Sequence, residues 1–276
     1  MLILLTGISI MLKVGFYQFY TRFGKVEKNL ETVVGKLKNV KSDLIVLPEL
    51  TFTGYNFRDK AELLPLAEAP ASSKIVNALV KLCARKNMYI VSGFAEKEGD
   101  QLYNSAILMG PKGLIHVYRK IQLFRNEKNI FQPGNIPLQV HKIKNVNIGM
   151  MICFDWIFPE ITRSLTLLGA DIICHPSNLV LSYCQQSMFT RCLENNVFAV
   201  TCNRYGAERR PHGTLKFTGK SQIVAPQGKL LYRAHSQREE LFITEINPAL
   251  ARDKKMTGLN DLVKDRRPEY YGRICQ

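Results

Sequence analysis

The chain has 276 residues, 46% of them hydrophobic, and 38 basic against 23 acidic residues give it a net charge of +15. That is enough apolar material for one large core, while the longest apolar runs fall far short of the ~20 residues a membrane span needs. The basic residues are spread along the whole chain, and the densest cluster, "KDRRPEYYGR", is interrupted by acids, which argues against a nucleic-acid-binding surface and leaves two readings open, solubility or an anionic substrate.

The N-terminus "MLILLTGISI" is apolar but lacks a basic leader and a small-residue cleavage site, so a secretory signal is not expected. A second Met at position 11 precedes the first convincing strand, and residues 1–11 read as an extension. From residue 12 to 276 no linker, low-complexity tract or internal repeat marks a boundary, which predicts one continuous domain. The seven cysteines are odd in number and form no CxxC. They read as reduced thiols of a cytoplasmic protein, not as a disulfide framework or a zinc site.

In chain order, "LKVGFYQF" reads as a strand, and "VEKNLETVVGKLKN" as a helix with Val26, Leu30, Val33, Val34 and Leu37 at helical spacing. "DLIVLPE" is a short buried strand stopped by Pro48; "SSKIVNALVKLCARKN" is a helix with serine available as N-cap. Three strands come next in succession, "MYIVSGFAE", "LYNSAILMG" and "LIHVYRK", the last two joined by a Gly110-Pro-Lys-Gly113 turn. A strand "VNIGMMIC" leads to a helix over "PEITRSLTLLGA"; the strand "DIICHP", a helix around 183–195 and the strand "VFAVTCN" come after it. Two strands, "KSQIVAP" and "KLLYRA", flank a Pro-Gln-Gly turn, and "ELFITEIN" closes the series. Alternation interrupted by three consecutive strands predicts an α/β protein with mixed sheets and outer helices.

Three buried strands end on a reactive group: "LIVLPE" on Glu49, "VYRK" on Lys120 and "MMIC" on Cys153. Ligand sites in α/β sheets lie at the carboxyl ends of strands. A carboxylate, an amine and a thiol gathered there support acyl transfer: the thiolate attacks a carbonyl, the carboxylate shuttles the proton, and the ammonium stabilises the oxyanion. Such chemistry leads one to expect a depressed thiol pKa at Cys153, favoured by the lysine and the following helix N-terminus. On composition alone, Cys153 reads as one more buried thiol, Glu49 as a strand-ending surface acid and Lys120 as an ordinary solvated cation.

The blocks "LPELTFTGYNF", "YRKIQLFRNEKNIFQPG" and "IGMMICFDWIFPE" resemble, in order, the three signature blocks of the nitrilase (carbon–nitrogen hydrolase) superfamily. The resemblance runs from about residue 12 to past residue 265 and includes "RCLENNVFAVTCNRYG" and "GKSQIVAPQGKLL". It implies a four-layer αββα sandwich and a Glu-Lys-Cys centre in which Glu49 is the general base, Lys120 the oxyanion-stabilising cation and Cys153 the nucleophile. The backbone N–H of Phe154 would be the second oxyanion donor. Glu127 in "EKNIFQPG" matches a further glutamate that helps position substrate; read without the family, it is a loop acid paired with Lys128. Tyr55, Trp156 and Asn178 match positions near the substrate pocket, although Trp156 reads equally well as a packing residue.

Other patterns are rejected. "GTLKFTGKS" has five residues where a phosphate-binding loop requires four, and the residues after it, "QIVAP", continue a strand. Cys174-His175 suggests a thiol–imidazole dyad, but "DIICHPSN" reads as a strand entering a loop, with His175 a polar strand-end residue. There is no GxSxG elbow and no HExxH or paired-histidine cluster, so neither metal nor other cofactor is expected. The resemblance implies an enzyme on a small amide with water as co-substrate, most directly an amidase releasing ammonia through a thioester. A nitrilase or an N-carbamoyl amidohydrolase would use the same centre. A silent scaffold or a basic nucleic-acid binder is the competing class. The family's habit of assembly implies a homodimer or higher homo-oligomer.

Overall fold

Strand β1 (Leu12–Gln18) sets the layering, because its side chains alternate between two cores: Leu12, Val14 and Phe16 face one, Tyr17 the other. The computed structural model describes residues 11–275, so residues 1–10 of the expected extension lie outside the described residues. After helix α1 (Val26–Leu37) comes β2 (Leu44–Val46), which repeats the alternation, Leu44 and Val46 on one face and Ile45 on the other. A short α2 (Lys60–Leu63) leads to α3 (Lys74–Lys86), N-capped as expected: Ser73 Oγ accepts the Val76 N–H at 3.0 Å. The three consecutive strands are β3 (Tyr89–Glu98), β4 (Gln101–Gly110) and β5 (Gly113–Arg119).

The second half begins with α4 (Glu127–Ile130), β6 (Val140–Ile143) and β7 (Val146–Met150). It continues with α5 (Pro159–Leu167), β8 (Ile172–Ser177), α6 (Cys184–Asn195) and β9 (Phe198–Asn203). Then come β10 (Tyr205–Arg210), β11 (Gly213–Thr218), β12 (Gln222–Ala225), β13 (Lys229–Arg233), β14 (Glu240–Ile246) and α7 (Ala249–Arg252). Three strands and the short helices α2, α4 and α7 were not legible in the sequence; the strands are β6 and the hairpin β10–β11, whose strands are charged and only partly buried. The rejected phosphate loop falls on β11, a strand rather than a loop opening a helix.

Two six-stranded mixed sheets result, β14-β1-β2-β3-β4-β5 and β13-β12-β9-β8-β7-β6, with β10–β11 apart. Both share one pairing pattern. From β14, and likewise from β6, the neighbours run antiparallel, parallel, parallel, antiparallel, antiparallel. The repeat absent from the sequence is thus present in the topology. The sheets pack face to face: Val46, Val91 and Leu108 of one meet Ile148, Ile172 and Val200 of the other in a common core. Leu37 of α1 and Leu79 of α3 cover the first sheet, and Leu165 of α5 and Met188 of α6 the second. This is the expected αββα sandwich. Cys83, Cys174, Cys184, Cys192 and Cys202 are buried free thiols within these layers. Among the described residues no helix is long and apolar enough to cross a membrane.

Candidate active site

Glu49 follows β2 by three residues, Lys120 directly follows β5, and Cys153 follows β7 by three. Each sits where the chain leaves its sheet. Pro48 stops β2, and the turn beyond it carries Leu50 in the left-handed region, φ 44°. That turn lies directly on β3 because Gly93 has no side chain; a Cβ there would overlap the backbone of Pro48, Glu49 and Leu50. Gly93 N–H donates to Pro48 O at 3.0 Å. Gly134 does the same for Lys120: its N–H donates to Lys120 O at 2.8 Å, and a Cβ would collide with the Arg119 carbonyl. Cys153 has φ 43° and opens a single 3-10 turn, Cys153–Ile157. Of the positive-φ residues other than glycine, Leu50, Arg125 and Cys153 all lie at this site, the strained backbone that functional centres tend to hold.

The acids and the amine form one hydrogen-bonded chain. Lys120 Nζ donates to Glu49 Oε1 at 2.7 Å and to Glu127 Oε1 at 2.8 Å. Tyr55 OH donates to the same Glu127 oxygen at 2.5 Å, and Phe124 N–H to the other at 3.0 Å. Asn104 Nδ2 donates to Glu49 Oε1 at 2.7 Å, and Asn178 Nδ2 to the Glu49 carbonyl at 2.9 Å. Glu49 and Lys120 side chains are wholly buried and Glu127 is 4% exposed. Glu49 Oε2 is buried with no hydrogen-bond partner among the described residues. Glu127 is therefore bonded inward to Lys120, and its pairing with Lys128, one sequence reading, is not what the structure shows.

Burial pushes the Glu49 carboxyl up; Lys120 pulls it back and Glu127 raises it again, leaving it above the ordinary range. Burial works against the charge on Lys120, but Glu127 and Glu49 outweigh it and hold the ammonium charged. Cys153 corrects the sequence expectation. Its thiol lies well above the usual value, because burial and the Glu49 charge raise it more than Lys120 and the Asn178 backbone lower it. The helix expected to help is also remote: α5 begins only at Pro159. The thiol rests protonated beside a carboxyl of raised basicity.

The nucleophile turn is pinned from below by groups that sequence reasoning missed. His175 Nε2 lies 2.9 Å from Cys153 O, and Nδ1 lies 3.1 Å from Thr201 Oγ1. Since a carbonyl only accepts, Nε2 carries the hydrogen and Nδ1 accepts from threonine. Burial lowers this imidazole to about 4, so it is neutral near pH 7. The rejected dyad stays rejected, since the ring bonds the Cys153 backbone. Asp155 Oδ2 accepts from Ile152 N at 2.8 Å and Tyr118 OH at 2.7 Å, and Oδ1 from Gln122 N at 3.0 Å. One carboxylate thus ties the Cys153 turn to the segment carrying Lys120. Burial raises it to about 6. The only sequence signal was its presence two residues past the cysteine.

Phe124, Cys153, Phe154, Trp156 and Asn178 line a small cleft, with Leu179–Leu181 as its rim. Trp156 is both pocket wall and core residue, 6% exposed, and its carbonyl accepts from Arg191 Nε at 3.1 Å. Tyr55 lies elsewhere. It lines a cavity of about 390 Å³ on the Glu127 side of Phe124, the residue common to both spaces. The Tyr55 loop is held by buried Glu208, which accepts from Tyr55 N at 3.1 Å and Asn56 N at 2.6 Å and pairs with Arg204. The unanticipated β10–β11 hairpin is thus part of the site.

A family profile described as carbon-nitrogen hydrolase matches residues 13–256. A protein from Pyrococcus abyssi named nitrilase is 43% identical over 95% of this chain and 100% of its own length. An (R)-stereoselective amidase of Pseudomonas sp. is 31% identical, covering 93% of this chain and 92% of its own. Among solved structures, a carbon-nitrogen hydrolase from Helicobacter pylori G27 superposes with a TM-score of 0.88 at 22% identity, covering 97% and 99% of the two chains. An amidase from Nesterenkonia sp. gives 0.81 at 22% identity over 98% and 99%; at such identities these two speak for the fold. Profile, relatives and fold agree over nearly the whole chain, and the protein is a carbon–nitrogen hydrolase of the nitrilase superfamily.

Proposed function

We propose that the enzyme hydrolyses a small carboxamide to its acid and ammonia through a thioester on Cys153. The observation that carries this reading is the buried Glu49–Lys120–Glu127 chain, 2.7 and 2.8 Å, within electrostatic reach of the Cys153 thiol. Glu49 takes the thiol proton as sulfur attacks the carbonyl carbon. Lys120 and the Phe154 N–H carry the oxyanion. Glu49 passes the proton to the departing nitrogen, ammonia leaves, and the thioester remains. Glu49 then deprotonates water, which attacks the thioester and releases the acid, and the thiol is reprotonated. Glu127, fixed by Lys120, Tyr55 and Phe124 N–H, orients the substrate. Trp156 and Asn178 bound the acyl group at the cleft and Tyr55 bounds it on the Glu127 side.

The amide reading is supported by the 31% identical relative named an (R)-stereoselective amidase, and Glu49 Oε2, buried and without a donor among the described residues, is the oxygen left to take the thiol and water protons in either reading. The nitrile is the second reading, favoured by the 43% identical relative named nitrilase. In that case sulfur adds to the nitrile carbon, and water releases ammonia from the thioimidate. Ammonia release from matched amides, nitriles and N-carbamoyl amines separates the readings. Amide turnover abolished in Cys153→Ala and reduced about 10²–10⁴-fold in Glu49→Gln supports the proposal; ammonia from nitriles alone replaces it with the second reading.

We further propose that residues 12–276 act as one catalytic domain in a homodimer or larger homo-oligomer. Ile157, Leu167, Leu168, Tyr183 and Leu193 form exposed apolar positions beside α5 and α6, and light scattering of the purified protein tests this. The buried free thiols suit a reducing, cytoplasmic setting.

A further inference from the structure

The two oxygens of the Glu49 carboxylate stand in unlike surroundings. Oε1 accepts from Lys120 Nζ and from Asn104 Nδ2, both at 2.7 Å, while Oε2 is buried with no donor among the described residues. Asn104 belongs to β4, the strand between β3 and β5, and is 1% exposed. Its main-chain carbonyl accepts the Lys120 N–H at 2.8 Å. One residue thus reaches the acid with its side chain and the segment carrying the amine with its backbone. Its neighbour Ser105 points to the opposite face of the sheet and donates to Glu96 Oε2. The two consecutive polar positions in "LYNSAILMG" therefore serve different partners, and only Asn104 serves the reaction centre.

A glutamate carboxyl turns about its terminal torsion with little preference, and an ammonium, a point charge with rotatable donors, does not by itself fix that rotation. A second donor on the same oxygen does. Turning the carboxylate away would break both bonds together and leave the buried Asn104 amide without its acceptor. The second donor is also neutral. A second cation at this place would pull the carboxyl down and weaken it as a base, whereas an amide holds it with a smaller electrostatic effect. The carboxyl accordingly stays above its ordinary range with both donors in place. We infer that Asn104 is a positioning residue for the hydrolysis: with Lys120 it anchors one oxygen of Glu49 and leaves the other to exchange protons with the Cys153 thiol and the attacking water. The inference rests on Glu49 as the general base, as proposed above, and is the same for an amide or a nitrile.

Asn104→Leu tests it, since leucine is close to asparagine in shape, keeps the main-chain bond to Lys120 and removes the side-chain donor. In ammonia-release kinetics kcat should fall about ten- to a hundred-fold, as for a hydrogen bond to a charged group, with KM little changed. The acid limb of kcat/KM should move to higher pH, because the lost donor stabilised the ionised carboxyl. In a Glu49→Gln background the same substitution should cost less than about two-fold, because the carboxylate that it positions is already gone. Wild-type kcat with an unmoved acid limb in Asn104→Leu overturns the inference. So does a loss of equal size in both backgrounds, the result expected if Asn104 only holds β4 in place. Asn104→Ala, which adds no bulk, carries the same cycle if the leucine variant does not fold. The two readings fail separately. Wild-type ammonia release by Glu49→Gln sinks the general base and this inference with it, whereas a slow Glu49→Gln beside a fully active Asn104→Leu sinks the positioning role alone.

Discussion

The Cys153 carbonyl oxygen lies 2.9 Å from Nε2 of His175, a residue of the neighbouring parallel strand. Cys153 holds φ 43°, and this bond secures one end of that strained turn. His175→Phe removes the side-chain donor to this buried carbonyl, costing about 0.5–1.5 kcal/mol. We expect kcat to fall about ten- to a hundred-fold with KM little changed. His175→Gln, which can return a donor to the same carbonyl, should recover much of the loss. Equal activity in the two variants would show that the bond does not position the nucleophile.

Among the described residues, Lys120 is the only cation paired with the buried carboxylates of Glu49 and Glu127, at 2.7 and 2.8 Å. Lys120→Met should therefore cost stability as well as activity, about 3–5 kcal/mol, because it leaves uncompensated buried charge. Adding Glu127→Gln should recover part of it. Urea unfolding of the single and double variants at pH 7 measures both; a double variant less stable than Lys120→Met would contradict the account.

Asp155 and His175 oppose one another in acid. Burial raises Asp155 to about 6 from 3.8, so its folded state gains protons first, and its contribution to stability grows as pH falls from about 6 to 3.8. Burial lowers His175 to about 4 from 6.5, so the unfolded state gains protons first, and stability is lost as pH falls from 6.5 to about 4. Each effect is about 3 kcal/mol, and they nearly cancel in the wild type. Half-buried His116, lowered to about 4, adds to the loss. Asp155→Asn removes the first effect, so its melting temperature should drop more steeply between pH 6.5 and 4 than the wild type's. The variant should also lack any acid limb in kcat near pH 6. Parallel pH–stability curves would show that Asp155 does not titrate as described.

Gly93 touches the backbone of Pro48, Glu49 and Leu50, with no flexible side chain to yield. Gly93→Ala should cost about 1–3 kcal/mol and lower kcat by shifting Glu49. Gly35→Ala, in the exposed face of α1 with open space around it, should be neutral or stabilising by about 0.5–1 kcal/mol. Thermal melts and ammonia-release kinetics of the two variants side by side test the contrast; a Gly93→Ala enzyme with wild-type kcat would refute the close approach as a positioning device.

Local pattern carried much of the architecture. The apolar strands "LKVGFYQ" and "LIV" and the helical spacing in "VEKNLETVVGKL" were legible, because burial repeats with the geometry of the element itself. The same reading placed Glu49, Lys120 and Cys153 at strand ends, since Pro48, the end of "VYR" and the end of "GMMI" are local events. The hairpin β10–β11 escaped because its strands are charged and only partly buried; Glu208 is held by the Tyr55 loop that it supports and by buried Arg204.

Long-range packing decided the rest. The sequence by itself determined an α/β protein of mixed sheets with three reactive residues at strand ends, and its resemblance to the superfamily implied the four-layer sandwich. Only the tertiary structure decided their chemical state, because desolvation and charge coupling depend on atoms brought together from distant positions. Glu49 meets Lys120 across 71 residues, Tyr55 meets Glu127 across 72, and His175 reaches Cys153 across 22. A lysine read as lowering the Cys153 pKa does so, but enclosure of the thiol and its carboxylate neighbour acts in the opposite direction and prevails. That enclosure comes from residues of both sheets, and no window of sequence contains it.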